Sequence, residues 1–229
     1  MYRVENKYVC QKTDLALLQS RLESVLKSDE NQKSYSGYTV TSIYFDDLFD
    51  SYLNDTIDGN CKREKYRIRI YNHSWEVIKL EVKYKKYNYV MKKNRQISKE
   101  QMWSLMAGES VRQSNMSLDD PVILFNLAIK ERGLRPRVIV EYDRKAYVFE
   151  SGNVRITLDR NLRCSRQVDR FGRKEIIFDN IKEANNILEV KYDEFLPGFI
   201  AQLLETSHMN QSSYSKYRLC REASEGKWI

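Results

Sequence analysis

The strongest constraint on this chain lies between residues 63 and 85. Arg63, Lys65, Arg67 and Arg69 occupy alternate positions, with Tyr66, Ile68 and Ile70 between them. Successive side chains of a strand point to opposite faces, so a strand here has one cationic face and one apolar face. The next segment repeats the pattern, with Lys79, Glu81, Lys83 and Lys85 opposite Ile78, Leu80, Val82 and Tyr84. Arg3, Glu5 and Lys7 do the same around Val4 and Tyr8, and Glu189 with Lys191 stand opposite Leu188, Val190 and Tyr192. Any one such strand is an ordinary amphipathic strand with its charges in water. Like charges in a row repel, however, and a merely solvated face gains by mixing signs. Repetition over several strands therefore points to a sheet built to meet an anion. The few glutamates set among the cations suit a divalent metal that bridges carboxylate and phosphate oxygens. Closed into a barrel with helices on its apolar exterior, such a sheet would line a tunnel with charge.

Composition removes several alternatives. In 229 residues, 39 Lys+Arg against 32 Asp+Glu give a net charge of +7, and 16 Tyr with 8 Phe and only 3 Pro argue for a folded core over disorder. The length suits one domain, and no repeat or linker divides residues 1–229. No run approaches the roughly 18 apolar residues of a membrane helix, and the start carries Arg3, Glu5 and Lys7 where a signal peptide is apolar, so a cytoplasmic protein without a membrane segment is expected. Cys10, Cys61, Cys164 and Cys220 are scattered singly, and His73 and His208 are the only histidines. Zinc sites, disulfide frameworks and histidine triads thus lack material, which leaves chemistry to carboxylates, lysines, arginines and an oxygen-held metal.

Apolar spacing predicts a helix over 13–27, and β-branched and aromatic residues predict a strand over 38–46 that ends in Asp46 and Asp47. A short helix or turn runs toward Gly59, strands 62–71 and 76–85 form a hairpin about Asn72-His73-Ser74, and a third strand covers 88–96. Ser98 with Gln101 forms a capping box for a helix ended by Gly108, and Asp119-Asp120-Pro121 opens another that Gly133 ends. Strands are expected at 135–149, 153–160, 174–178 and 186–192, and Pro197 opens the last helix. Without a β-α-β rhythm the fold class is α+β: an antiparallel β-barrel, or tunnel fold, with a polar, cation-lined lumen and helices outside.

Arg3-Val-Glu5-Asn-Lys7-Tyr8, Ser42-Ile-Tyr-Phe-Asp46, Arg63…Arg67-Ile-Arg69, Leu80-Glu81-Val-Lys83, Tyr142-Asp-Arg144, Leu188-Glu189-Val-Lys191 and Ser215-Lys216-Tyr217 follow one another in an order that resembles the VTC domain. This is the catalytic domain of vacuolar transporter chaperone polyphosphate polymerases, a branch of the triphosphate tunnel metalloenzymes. The resemblance implies a barrel that binds polyphosphate along its length and moves the terminal phosphoryl group of ATP onto a growing chain, with Mn²⁺ or Mg²⁺. It further implies that Lys7, Arg67, Arg69, Lys83, Arg144, Lys191 and Lys216 are phosphate-binding cations, with Arg67, Arg69, Lys83, Arg144 and Lys216 at the catalytic centre. Tyr142 and Ser215 match polar groups that contact phosphate, and Glu189 matches the metal-binding glutamate. Arg63 and Arg95 align less securely, because Lys62, Lys92 and Lys93 compete for their places. Glu5 and Glu81 are either further metal ligands or spacers of the cations. Related triphosphatases and cyclases begin Glu-x-Glu-x-Lys; Arg3 replaces the first Glu here, which favours the polymerase branch.

Three functions follow as expectations: an ATP-dependent polyphosphate polymerase, a hydrolase of tripolyphosphate or nucleoside triphosphate, and a non-catalytic polyphosphate-binding module. Tyr84, Tyr87 and Tyr89 among Lys83, Lys85 and Lys86 resemble a single-stranded nucleic-acid surface, but glutamates on the cationic faces would repel a nucleic-acid backbone, so no nucleic-acid partner is expected. Asp46 and Asp47 read as helix caps, Trp75 and Trp103 as packing residues, and His208 as a surface residue at a helix end.

Overall fold

A computed structural model describes residues 3–87, 89–112, 117–173, 175–181, 186–206 and 210–224. The long strands are β1 (Arg3–Val9), β3 (Tyr38–Asp46), β4 (Lys62–Tyr71), β5 (Ser74–Lys86), β6 (Tyr89–Gln96), β7 (Arg135–Phe149), β8 (Val154–Ser165) and β10 (Asn186–Tyr192). Two-residue strands β2 (Lys27–Ser28), β9 (Asp179–Asn180) and β11 (Asn210–Gln211) add to β7, β8 and β1. The hydrogen-bonded order β7-β3-β4-β5-β6-β1-β10-β8 returns to β7, so eight antiparallel strands close a barrel. Closure removes the sheet's free edges and sorts alternate residues to lumen or exterior.

The apolar faces point outward and the helices cover them. Helices α3 (Lys99–Ala107) and α4 (Pro121–Arg132) bury Met102, Leu105, Val122, Phe125 and Ile129 against Ile43, Phe45, Ile68, Ile70, Leu80 and Val82. On the opposite wall, α1 (Lys12–Val25) and α5 (Gly198–Leu204) bury Leu15, Leu18, Leu22 and Ile200 against Ile156, Leu158, Leu188 and Val190. Trp75 and Trp103 pack against the first of these cores. The capping box is present, with Ser98 Oγ accepting from Gln101 N at 3.2 Å, and Asp120 accepts from Val122 N at 2.8 Å to start α4 at Pro121. Helix α2 (Ser51–Ile57) is capped from upstream: Asp46 accepts the N–H groups of Tyr52 and Leu53, and Asp47 that of Ser51.

Three elements differ from the sequence reading. Residues 175–178 form no strand, although Ile176 and Phe178 pack on the core; two of their backbone groups bond to side chains instead of to a neighbouring strand, with Gln167 accepting from Ile177 N and Arg170 donating to Glu175 O. Strand β8 continues past residue 160 to Ser165 because Asn161, at φ 53°, forms a bulge where a turn would otherwise be read. A sixth helix, α6 (Lys216–Ser224), buries Tyr217, Cys220 and Arg221 with Val140, Tyr142 and Cys164 at one end of the barrel. His208 lies outside the described residues.

Phe125 sets α4 against the sheet through edge contacts to Phe45 and Tyr66, with ring centroids 5.2 and 5.1 Å away. Phe125→Ala is expected to cost about 3–5 kcal/mol in urea unfolding; a loss below about 1 kcal/mol would show that this contact does not carry the core.

Candidate functional site: a cation-lined tunnel

Register places the charged alternation inside the barrel. Arg67 lies opposite Glu81 and Tyr44, Arg69 opposite Ser42, Lys7 opposite Glu189, and Arg144 opposite Asp159. On the β4–β5 wall, Arg67 Nε donates to Glu81 Oε2 at 2.6 Å and Nη1 donates to the Tyr44 hydroxyl at 2.8 Å. Arg69 donates from Nε to Ser42 Oγ at 3.0 Å and from Nη2 to the Tyr142 hydroxyl at 3.3 Å. Lys92 closes on the other oxygen of Glu81 at 3.0 Å. Burial opposes ionisation of Glu81, but Arg67, Arg69 and Lys92 outweigh it and hold the carboxyl well below its ordinary range.

A second group comes from β1, β5 and β10. Lys83 Nζ reaches both oxygens of Glu5 at 2.9 and 3.1 Å, Lys7 lies 3.2 Å from Glu5, and Lys191 bridges Glu5 at 3.4 Å and Glu189 at 2.9 Å. A third joins β7, β8 and α6: Arg144 holds Asp159 bidentately at 2.6 and 2.8 Å, stands 3.5 Å from Glu189, and Lys216 reaches Asp159 at 2.7 Å. The Tyr142 ring lies beneath Arg144 and Lys216, 5.1 and 4.8 Å from its centroid. Burial works against Asp159 and Glu189 as anions; Arg144 and Lys216 bring Asp159 down to about 2, and Lys191, Lys7 and Arg144 hold Glu189 well below its ordinary range.

Ser215 sits at the start of α6. Its Oγ accepts from Lys65 Nζ at 2.8 Å and from Arg218 N at 3.2 Å, while Lys7 donates to Tyr214 O at 3.0 Å. Arg63 is opposite Lys85 at the start of β4 and donates to Thr56 O at 3.3 Å. The structure thus gathers Lys7, Arg67, Arg69, Lys83, Tyr142, Arg144, Lys191, Ser215, Lys216, Glu5, Glu81 and Glu189, with Arg63 toward the end of the cationic strand. Arg95 stands apart. It pairs with Leu80, whose face is the exterior, and forms an ion pair with Asp120 at the start of α4. In β6 the lumen parity belongs to Lys92 and Asn94, opposite Lys83 and Glu81.

Sequence reading missed Asp159 and Tyr44 as members of this group; it set Lys65 on the cationic face without giving it a role, and it named Lys92 only as a competitor for the place of Arg95. The signal for Asp159 was present: Arg155, Thr157 and Asp159 alternate with Ile156 and Leu158, as in the other strands. Glu5 and Glu189 share Lys191 between them, and their hard oxygens suit Mg²⁺ or Mn²⁺. Among the described residues no three His, Cys, Asp or Glu converge as a cage. The donor set therefore fits an ion that takes one or two carboxylates and completes its shell with water and phosphate oxygens.

The cations differ in how they are balanced. Lys83 is pushed down to about 7, by burial first and by Lys7 and Lys191 against the pull of Glu5. Lys65 is held well below its ordinary value by burial and by Lys7, Lys83, Arg63 and Arg67. A lysine depressed in the folded state binds fewer protons there than when unfolded, so its contribution makes the empty protein more stable as pH rises toward 10.5, its ordinary value. An anion bound in the tunnel would favour the protonated form. Because Lys83 lies near 7 in the empty protein, tripolyphosphate binding at pH 8 is expected to take up protons, read from calorimetry in two buffers of different ionisation enthalpy, and less so in Lys83→Met. Equal uptake in both proteins would remove Lys83 from the site.

The tunnel architecture recurs in solved structures. A Hippeastrum protein named for adenylyl cyclase and described with a dominant triphosphatase activity superposes with a TM-score of 0.57 at 15% identity, over 96% of each chain. A Vibrio parahaemolyticus protein also named for adenylate cyclase gives 0.54 at 11% identity, over 96% of this chain and 97% of that one. A Pyrococcus horikoshii protein gives 0.50 at 14% identity, over 97% and 99%. At these identities the likeness is one of fold, the triphosphate tunnel. No curated protein matches the chain. The family description "VTC domain" matches residues 2–224, which spans every strand and helix from β1 to α6, and the chain belongs to the VTC domain family.

Proposed function

We propose that this chain is an ATP-dependent polyphosphate polymerase. The observation that carries the reading is the lumen itself, where cations from β1, β4, β5, β7, β10 and α6 outnumber the carboxylates that space them. Such a surface suits a long polyanion of closely spaced phosphates. Arg67, Arg69 and Arg144 present planar forks that grip two phosphate oxygens each, and Lys7, Lys83, Lys191 and Lys216 add compact charges. In the proposed reaction a terminal oxygen of the polyphosphate chain attacks the γ-phosphorus of ATP. A new P–O–P bond forms, the bond from the γ-phosphorus to the β-γ bridging oxygen breaks, and ADP leaves with that oxygen. The attacking oxygen is already ionised at neutral pH, so no histidine or cysteine is needed. Glu189, with Glu5, would hold the divalent metal, Mn²⁺ or Mg²⁺, which supplies charge neutralisation at the phosphate oxygens when bound. Phosphoryl transfer passes through a loose transition state, so alignment of donor and acceptor by fixed cations supplies most of the catalysis.

Glu81, on β5, is held by two arginines and Lys92, whereas Glu5 and Glu189 share Lys191 across the paired strands β1 and β10, which supports Glu81 as a spacer and Glu5 with Glu189 as the ligand pair. Hydrolysis of triphosphate is the second reading, favoured by the activity described for the Hippeastrum structure. No described helix is long and apolar enough to cross a membrane.

Incubation with ATP and Mn²⁺, followed by a gel that resolves chain length, tests the proposal. A ladder of polyphosphate is expected, lost in Glu189→Gln. Arg67→Ala and Arg144→Ala are each expected to lower turnover by about 10²–10³ while leaving the fold intact. Orthophosphate without a ladder would establish the hydrolase, and unchanged turnover in both arginine variants would overturn the tunnel assignment.

A further inference from the structure

Ser215 and Lys216 reach the tunnel from α6 and not from a barrel strand, so something must fix that helix. Asp46, the last residue of β3, is fully buried. Its Oδ1 accepts from Asp47 N at 2.9 Å and Tyr52 N at 3.0 Å. Its Oδ2 accepts from Leu53 N at 3.0 Å and from the Tyr217 hydroxyl at 2.5 Å. Arg221, one turn further along α6, donates to that hydroxyl at 3.0 Å, lies 3.9 Å from Asp46 Oδ2 and pairs with Asp50 at 2.9 Å. The Tyr217 ring stacks on Tyr44 with centroids 5.1 Å apart and planes at 22°, and Tyr44 accepts from Arg67. Lys65 Nζ lies 5.4 Å from the same ring.

Capping α2 needs only the main-chain bonds of Asp46. Its remaining bond goes to α6, at the residue immediately after Lys216. We propose that Asp46, acting through Tyr217 and Arg221, is a positioning residue that sets Ser215 and Lys216 in the tunnel and thereby sets the affinity for phosphate polyanions. The proposal rests on the polyanion-binding reading of the lumen for its consequence, but the latch itself is a property of the empty protein. A small displacement of Tyr217 carries Lys216 away from Asp159 and Ser215 away from Lys65, because all of these partners lie on different elements.

Tyr217→Phe removes the hydroxyl and keeps the ring stack. Hydrogen exchange of the α6 amides is expected to rise at least about tenfold while β4 and β5 are unchanged, since a helix freed of its anchor opens locally. Tripolyphosphate affinity, measured by calorimetry, is expected to fall about tenfold in this variant but by less than about twofold when the same change is made in Lys216→Ala, because the two groups act in series. Arg221→Gln should show the same pattern and serves as the second variant. Unchanged exchange in α6, or equal weakening in both backgrounds, would overturn the proposal. Failure of the unaltered protein to bind tripolyphosphate would overturn the functional reading on which the proposal's effect on affinity rests, and the exchange measurement would then decide the latch alone.

Discussion

Burial of like charges is the constraint on which the rest of the structure depends. Lys65, Arg67, Arg69, Lys83 and Arg144 point into a common lumen, where low dielectric strengthens both their mutual repulsion and their attraction to carboxylates. Glu5, Glu81, Asp159 and Glu189 make that burial tolerable. Each touches more than one cation, so the carboxylates space the cations without neutralising all of them. Lys65 donates to the Ser215 hydroxyl and lies over the Tyr217 ring among other cations, and Lys83 is pushed down to about 7 despite Glu5. The barrel is thus left with a deficit of negative charge that a polyphosphate would fill.

That arrangement explains why the helices are where they are. If the lumen takes the charged parity, the apolar parity must face outward and be covered, and α1, α3, α4 and α5 supply the cover. Helix α6 has a different task. It packs Tyr217 and Cys220 against Tyr142, Val140 and Cys164 and brings Ser215 and Lys216 to the charged groups. One helix therefore joins the apolar end of the barrel to its charged centre, which is why its anchoring on Asp46 bears on binding.

Much of this was legible because strand parity is a strict rule. Arg67, Arg69, Glu81, Lys83, Glu189 and Lys191 are assigned to one face by alternation alone, and the register of the closed barrel brings those faces together. The same rule exposes the error at Arg95: in β6 the even positions face Glu81 and Lys83, so Arg95 is exterior and pairs with Asp120. Asp159 followed the rule and was overlooked, since its strand carries only one acid beside Arg155 and Thr157. Helix α6 could not be found from an apolar stripe, because its buried face contains Arg221 and Ser224, whose polar atoms are satisfied by contacts distant in sequence or within the helix. The strand expected at 174–178 misled for the opposite reason: Ile176 and Phe178 have strand-like composition, but among the described residues Ile177 N bonds to Gln167 and Glu175 O to Arg170.

In the proposed function phosphate polyanions bind inside the barrel with a metal at Glu189. A crystal structure of the protein grown with tripolyphosphate and Mn²⁺ tests it most directly, with manganese located by anomalous scattering. Phosphate groups are expected in the lumen between Arg67, Arg69, Lys83 and Arg144, with manganese joining their oxygens to Glu189. Phosphate confined to the outer surface, or manganese bound away from Glu189 with the lumen free of anion, would contradict it.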